Sequence, residues 1–245
     1  MNESMYKLFY EIQKKHWWFV SKKKIVSCFI ENILNGQKKK EINILDVGCG
    51  SGLMLEKLSE YGTVYGMDFS DEAIKFSGEI FAGEIRKGAL PNEVPFEDNF
   101  FDLIVALDVI EHIDEDIDSL KTIKTKLKKG GKAIITVPAY MFLWSEFDEI
   151  NQHKRRYTVS DLKNKLEKSG LGINKISYYN TFLFPIVYIV RIGNKLLKKN
   201  AENEVNMPAK YVNIILEKIF SFESLLLNKI NMPFGVSILA IVEKE

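Results

Sequence analysis

Leu45-Asp46-Val47-Gly48-Cys49-Gly50-Ser51-Gly52 decides how the rest of the chain reads. The apolar run Ile42–Val47 leads into three glycines spaced Gly-x-Gly-x-Gly, and the helix-forming stretch Leu53–Tyr61 follows. Glycines let the backbone turn sharply and let a ligand approach where any Cβ would block it. A helix opening near Leu53 would aim its free N–H groups and the positive end of its dipole at the same point. Strand, glycine loop and helix in this order form a nucleotide-type turn. The dinucleotide fingerprint, Gly-x-Gly-x-x-Gly, places its third glycine one position later than Gly52. A tight strand–helix turn without any ligand also accounts for the glycines taken alone.

Working outward, short apolar runs alternate with amphipathic segments. Strands are predicted at Ile42–Val47, Thr63–Met67, Phe101–Leu107 and Lys132–Val137, with helices at Leu53–Tyr61, Asp71–Ser77 and Asp114–Lys128. Continuous apolar strands separated by helices indicate a parallel sheet covered on both faces. Ser70 is a good N-cap for the helix at Asp71. Lys128-Lys129-Gly130-Gly131 reads as the stop of the helix before it. Met5–Lys15 and Ser21–Leu34 have helical patterns and precede the polar breaker Asn35–Lys40. Beyond Pro138 come a long polar and aromatic connection (Tyr140–Tyr157), a helix at Thr158–Ser169 stopped by Gly170, and a strand at Ile173–Tyr179. Helices at Thr181–Lys199 and Lys210–Lys229 flank a polar linker at Asn200–Met207, before the apolar strand Gly235–Val242. The expected organisation is an N-terminal helical cap (1–40) and an α/β domain (41–245) with a helical insertion at about 181–232.

The second strand ends at Met67-Asp68, about twenty residues beyond Asp46, where an acid accepts hydrogen bonds from both ribose hydroxyls of an adenosine. Four stretches in this order resemble the motifs of class I S-adenosylmethionine-dependent methyltransferases. Leu45–Gly52 resembles the first, Val64–Ser70 the acidic second-strand motif, and Phe101–Ile113 the fourth-strand motif. The last of these has the Glu111-His112 form common among small-molecule methyltransferases. Lys129–Pro138 resembles the fifth-strand motif, and the resemblance spans Glu41–Ala139. It implies a Rossmann-like fold: a mostly parallel, seven-stranded sheet with helices on both faces and a last antiparallel strand, Gly235–Val242, beside the fifth.

The resemblance also implies S-adenosylmethionine as cofactor. Asp46 and Gly48 would lie beside its methionyl group, with Cys49, Gly50 and Gly52 in the same loop. Asp68 would hold the ribose with Phe69 next to it, and the backbone at Leu107 and Asp108 would flank the sulfonium. Members of the family often place an acid after the third strand to contact the adenine. Arg86–Leu90 contains none, which leaves backbone groups around Ala89. Lys15–Val20, Leu143–Glu149 and His153-Lys154-Arg155-Arg156-Tyr157 resemble a methyltransferase subgroup often found with bacterial or archaeal glycan and cell-surface biosynthesis.

Methyl transfer from a sulfonium is an in-line displacement, so the protein mainly aligns the two reactants and excludes water. A hydroxyl acceptor gains from a general base. The catalytic candidates are His153, in the connection after the fifth strand, Asp108 and His112. His153, Arg155, Arg156, Tyr157 and Trp144 are candidates for the acceptor site, because arginine forks suit carboxylates, phosphates and sugars. Either histidine also reads as a packed structural residue. Trp18, in His16-Trp17-Trp18-Phe19, reads equally as a lid over the cofactor or as an aromatic staple, and a lysine of Lys22–Lys24 is within reach of the methionyl carboxylate.

The 34 basic and 33 acidic residues nearly cancel, which argues against a nucleic-acid partner. Cys28 and Cys49 have no metal-ligand spacing, no metal is expected, and the cysteine usage fits a reducing compartment. The N-terminus lacks signal-peptide character. The longest apolar run, Thr181–Val190, is about half a bilayer span, so a cytoplasmic protein with a small-molecule acceptor is expected. The 181–199 helix reads as a core or pocket element, or as an amphipathic helix in peripheral contact with a membrane. A nicotinamide-dependent oxidoreductase and an inactive S-adenosylmethionine-binding protein are the competing readings.

Overall fold

The computed structural model describes residues 3–35, 41–197 and 207–245. Helices α1 (Glu3–Ile12) and α2 (Trp17–Ile33) precede β1 (Asn43–Val47), α3 (Leu55–Leu58), β2 (Thr63–Asp68), α4 (Asp71–Ile80), β3 (Glu84–Lys87) and β4 (Phe101–Leu107). Then follow α5 (Asp116–Lys126), β5 (Leu127–Pro138), α6 (Glu146–Ile150), α7 (Val159–Ser169), β6 (Gly172–Tyr179), α8 (Phe184–Leu197), α9 (Lys210–Leu227) and β7 (Ser237–Glu243). The strand order is β3-β2-β1-β4-β5-β7-β6. Pairing is parallel from β3 through β5, and β7 runs antiparallel to both β5 and β6. The chain leaves β1 in one direction for β2 and β3, then returns past it to β4. Ligands of open α/β sheets bind at the carboxyl ends of the strands beside such a reversal.

Period-two alternation divides the core between the two faces of the sheet. Ile44, Leu103, Val105 and Ile134 pack with Ile25 and Phe29 of α2, while Leu45, Ile104, Ala106 and Ile135 pack with Leu120 of α5 and Leu162 of α7. Helix α2 lies along α9: the Trp17 N–H donates to Asn213 Oδ1 at 2.9 Å, and Ser21 Oγ donates to the Glu217 carbonyl at 3.1 Å. The caps are as expected. Ser70 Oγ accepts from the Ala73 N–H, Thr158 and Asp161 form a capping box on α7, and Gly170 closes that helix in the left-handed region.

Two local expectations need correction. The predicted Leu53–Tyr61 helix is only the four residues of α3. Gly52 and Leu55 donate their N–H groups in tight turns to the carbonyls of Cys49 and Gly52, so no long dipole points at the glycine loop. Lys128–Gly131 does not stop α5, which ends at Lys126. It belongs to the irregular start of β5, where the pairing register with β4 shifts between Phe101 and Leu103. The Tyr140–Tyr157 connection is structured, holding a 3-10 turn at Met141–Leu143 and α6. The expected end of the 181–199 helix, the linker at 200–206 and the breaker at 36–40 lie outside the described residues. No described helix is long and apolar enough to cross a membrane.

Candidate active site

The glycine loop is folded back onto the end of β2. Gly48 and Cys49 donate their N–H groups to the Met67 carbonyl at 2.7 and 3.0 Å. Gly48 has φ +65°, and a Cβ there would stand 2.6 Å from Val109 Cγ2, so only glycine is accommodated. Asp68, buried at the end of β2, receives the Gly50 N–H on Oδ2 at 2.9 Å and the Ser70 N–H on Oδ1 at 3.0 Å. Each oxygen keeps a lone pair for a further donor. Burial raises its pKa, and the backbone donors pull the other way. Asp46, near the carboxyl end of β1, has less help: burial and the neighbouring Asp68 push it up to about 8, against the opposing charge of Lys22.

Across the loop, Asp108 directly follows β4 with φ +55°. Its Oδ1 accepts from Thr136 Oγ1 at 2.9 Å, and Lys22 of α2 is seated on Oδ2. Burial raises the Asp108 pKa, but Lys22 and Thr136 more than offset this and hold it below the ordinary carboxylate value. Glu111, in the 3-10 turn Ile110–His112, is fully buried, and neither carboxyl oxygen has a hydrogen-bond partner among the described residues. Burial and the Asp108 charge hold its pKa well above the ordinary value, which favours its protonated form. His112 is lowered to about 4, chiefly by burial and then by His153, and is neutral at pH 7.

His153 is held from behind. Its Nδ1 lies 2.8 Å from Asp148 Oδ1, its backbone N–H donates to the Asp148 carbonyl at 2.8 Å, and its ring packs edge-on against His112. Nε2 faces forward, 4.0 Å from Glu111 Oε1. Asp148 is itself buried and gripped. Arg156 donates to it from Nε at 2.8 Å and Nη2 at 2.9 Å, the Ser145 N–H at 2.9 Å, and Arg191 Nη1 stands 3.8 Å away. Burial raises its pKa, yet His153 and the two arginines hold it at about 2.

These groups surround one cavity of about 460 Å³, within the range of small-ligand pockets. Asp46, Gly48, Cys49, Gly50 and Leu107 line it together with Asp108, His112, His153 and Arg156. Trp18 joins both sequence readings, since it lines the cavity and also packs on Phe220 of α9 at 5.3 Å. Asp68, Gly52, Phe69 and Ala89 stand outside that lining. Phe69 is exposed beside Asp68, and Gly52 (φ +84°) is packed against Ile80. Ala89 exchanges both backbone hydrogen bonds with Glu93 at 2.9 Å, so the donor expected for an adenine is already used.

The grouped acceptor candidates of the post-β5 connection separate in the fold. Arg155 pairs with Asp114 and Asp116, and the buried Tyr157 donates its hydroxyl to Asp116 Oδ2 at 3.0 Å. Both anchor the connection to the start of α5 and do not line the cavity. Trp144 is also outside, donating to Glu149 at 3.4 Å. Arg156 faces the cavity, but three of its nitrogens are committed: two to Asp148 and Nη1 to the Ala139 carbonyl. Sequence reasoning missed Asp148, the burial of Glu111, and Arg191. Asp148 was findable as the N3 residue of a Ser145 capping box five positions before His153. Glu111, His112 and His153 each bring one ligand atom within 4.8 Å of the others, a donor set suited to a metal ion that sequence spacing did not reveal.

Sheet order, glycine loop and acid-rich cavity define the class I, Rossmann-like methyltransferase architecture. Residues 23–175, more than half of the 245, match the methyltransferase-domain family, and the chain belongs to it. The ubiquinone biosynthesis O-methyltransferase of Nitrosomonas europaea is 25% identical over 138 residues, which are 53% of this chain and 52% of that protein. The chain thus matches about half the length of that relative. A solved SAM-dependent methyltransferase of Archaeoglobus fulgidus superposes with TM-score 0.54 at 22% identity, over 91% of this chain and 94% of that one. Phosphoethanolamine N-methyltransferase 2 of Haemonchus contortus, solved with S-adenosyl-L-methionine, gives 0.57 at 20% identity over 88% and 51%. The family sets aside the nicotinamide-dependent reading, and S-adenosylmethionine is the cofactor.

The cavity suits that cofactor. Asp46, Asp108 and Glu111 line it beside Lys22 and Lys23, and carboxyl groups suit the sulfonium and ammonium charges. Asp46 makes this measurable. A folded-state pKa of about 8 means that Asp46 binds a proton in the free protein at pH 6.5, which a cationic ligand would expel. Calorimetric titration with S-adenosylhomocysteine in buffers of different ionisation heat should show net proton release at pH 6.5. The release should vanish at pH 9.5 and shrink in Asp46→Asn. The same raised pKa makes Asp46 cost the unliganded protein stability as pH rises from about 4 to about 8.

Proposed function

We propose that this protein transfers the methyl group of S-adenosylmethionine to a hydroxyl of a small-molecule acceptor, with His153 as general base. The observation that carries this reading is that His153, backed by Asp148 at 2.8 Å, lines the same cavity as the glycine loop. A carboxylate on Nδ1 fixes the tautomer that carries its proton there and leaves the Nε2 lone pair free to receive one. Nε2 is the nitrogen that points away from Asp148, towards Glu111. An O-methyltransferase among the relatives supports a hydroxyl acceptor. The acceptor's body is apolar, because Trp17, Leu183, Val187 and Leu216 form the remaining wall.

The cofactor supplies an already activated methyl group. The protein's share is placement and dryness. Asp68 holds the ribose through its two spare lone pairs, and Asp46 holds the methionyl ammonium. Asp108, locked by Lys22 and Thr136, fixes the floor between cofactor and acceptor. His153 takes the hydroxyl proton as the oxygen attacks, and Asp148 stabilises the resulting imidazolium.

The test is product analysis with methyl-labelled S-adenosylmethionine and matched hydroxyl and amine acceptors on an apolar scaffold, including polyprenols and phenols. Label in a base-stable ether with equimolar S-adenosylhomocysteine is expected. Label only on the amines would overturn the hydroxyl assignment. Tight cofactor binding with no product from any acceptor would favour the inactive binding protein.

A further inference from the structure

Helix α9 carries apolar side chains on its outer as well as its inner side. Phe220 and Leu227 are buried inward, yet Tyr211, Ile215, Phe222 and Leu225, spaced i, i+4, i+11 and i+14, form an outward stripe 53–79% exposed. Contiguous exposed apolar patches mark interaction or membrane surfaces. The surface continues onto the start of α8: the Phe182 ring lies 6.3 Å from Phe222, and Ile186 and Ile189 are 54% and 68% exposed.

The charges on this face have one sign. No acid occurs from Thr181 to Leu197. Both acids of α9 are engaged: Glu217 binds Lys24 at 2.6 Å, and Glu223 is buried, accepting the Phe182 N–H at 2.8 Å. Lys218 sits within the apolar stripe and Lys210 and Lys229 stand at the two ends of the helix, all three exposed. A second copy docked about a twofold axis would set this basic stripe against itself, whereas an anionic surface complements it. The face is also continuous with the active site, since Ile186 and Val190 are exposed on it and line the cavity.

We propose that the outer face of α8 and α9 seats the protein on an anionic lipid bilayer, with the cavity mouth at the lipid surface. Apolar side chains enter the headgroup boundary while the lysines meet anionic headgroups. Delivery of a lipid-borne acceptor through this mouth rests on the methyl-transfer reading; the docking itself does not.

Co-sedimentation of the full chain with phosphatidylcholine vesicles, with and without about a third phosphatidylglycerol, tests it. Preferential binding to the anionic vesicles is expected, weakened by salt. The double variant Ile189→Asp, Leu225→Asp should lose roughly tenfold or more in vesicle affinity, and Lys218→Glu should abolish the preference for anionic lipid. Unchanged S-adenosylhomocysteine binding by these variants would show that they are folded. No binding of the native chain to either vesicle overturns the proposal. So does a concentration-dependent dimer that the double variant dissolves, because a second copy would then cover the face.

Discussion

Replacing His153 with glutamine should lower acceptor methylation by about 10²–10⁴-fold, the range of a lost general base. S-adenosylhomocysteine affinity should change little. Glutamine can still donate to Asp148, so the buried carboxylate keeps a partner, but its amide cannot take a proton at neutral pH. A purely structural His153 would give another pattern: lower stability, with residual turnover at the native rate. Because His153 works within a unit, Glu111→Gln separates the roles of its neighbours. Glu111 is fully buried with its pKa held well above the ordinary value, so an isosteric amide should preserve the fold and most of the activity. Single-turnover rates of methyl transfer with saturating cofactor would read both variants directly.

The largest loss of stability is expected at Asp148. Its carboxylate is buried beneath Arg156, Arg191, His153 and the Ser145 N–H. Asp148→Ala leaves at least one guanidinium buried without its counter-ion, a change that typically costs about 3–5 kcal/mol. Denaturant unfolding should show a lower midpoint with an unchanged slope. The linkage runs in the usual carboxylate direction. With the folded pKa near 2, below its unfolded value, the Asp148 contribution is complete above about pH 4 and is lost as pH falls towards 2. The variant's stability should therefore converge on that of the native protein in this acidic window. Misorientation of His153 would also slow methyl transfer in whatever fraction of Asp148→Ala remains folded.

What the sequence revealed and what it hid divide by range. Gly48, Gly50, Asp46 and Asp68 stand close together because a strand–loop–helix unit is local, and its chemistry is written in consecutive residues. Six of the seven strands were legible for the same reason, since apolar runs and glycine breaks record burial without reference to partners, whereas the largely exposed β3 (Glu84–Lys87) has no apolar run to announce it. The Asp148 cage was not legible. Arg191 arrives from α8 and Arg156 from beyond α6, so no spacing in the chain announces that both meet one carboxylate. Arg155 and Tyr157 show the reverse. They sit beside Arg156 in sequence, yet alternating backbone direction turns them towards Asp116 while Arg156 faces the cavity. Leu53–Tyr61 has the composition of a helix, and tight turns at Gly52 and Leu55 leave only α3. Local propensity lost to the geometry of the loop.

Calorimetric titration of the native protein and Asp68→Ala with S-adenosylhomocysteine, and in parallel with NAD, tests the central assignment most directly. The ribose contact at Asp68 predicts S-adenosylhomocysteine binding that Asp68→Ala weakens about tenfold or more, the scale of hydrogen bonds to a charged group. NAD should not bind to either form. Absence of S-adenosylhomocysteine binding, or tighter binding of NAD, would contradict the assignment and every site role built on it.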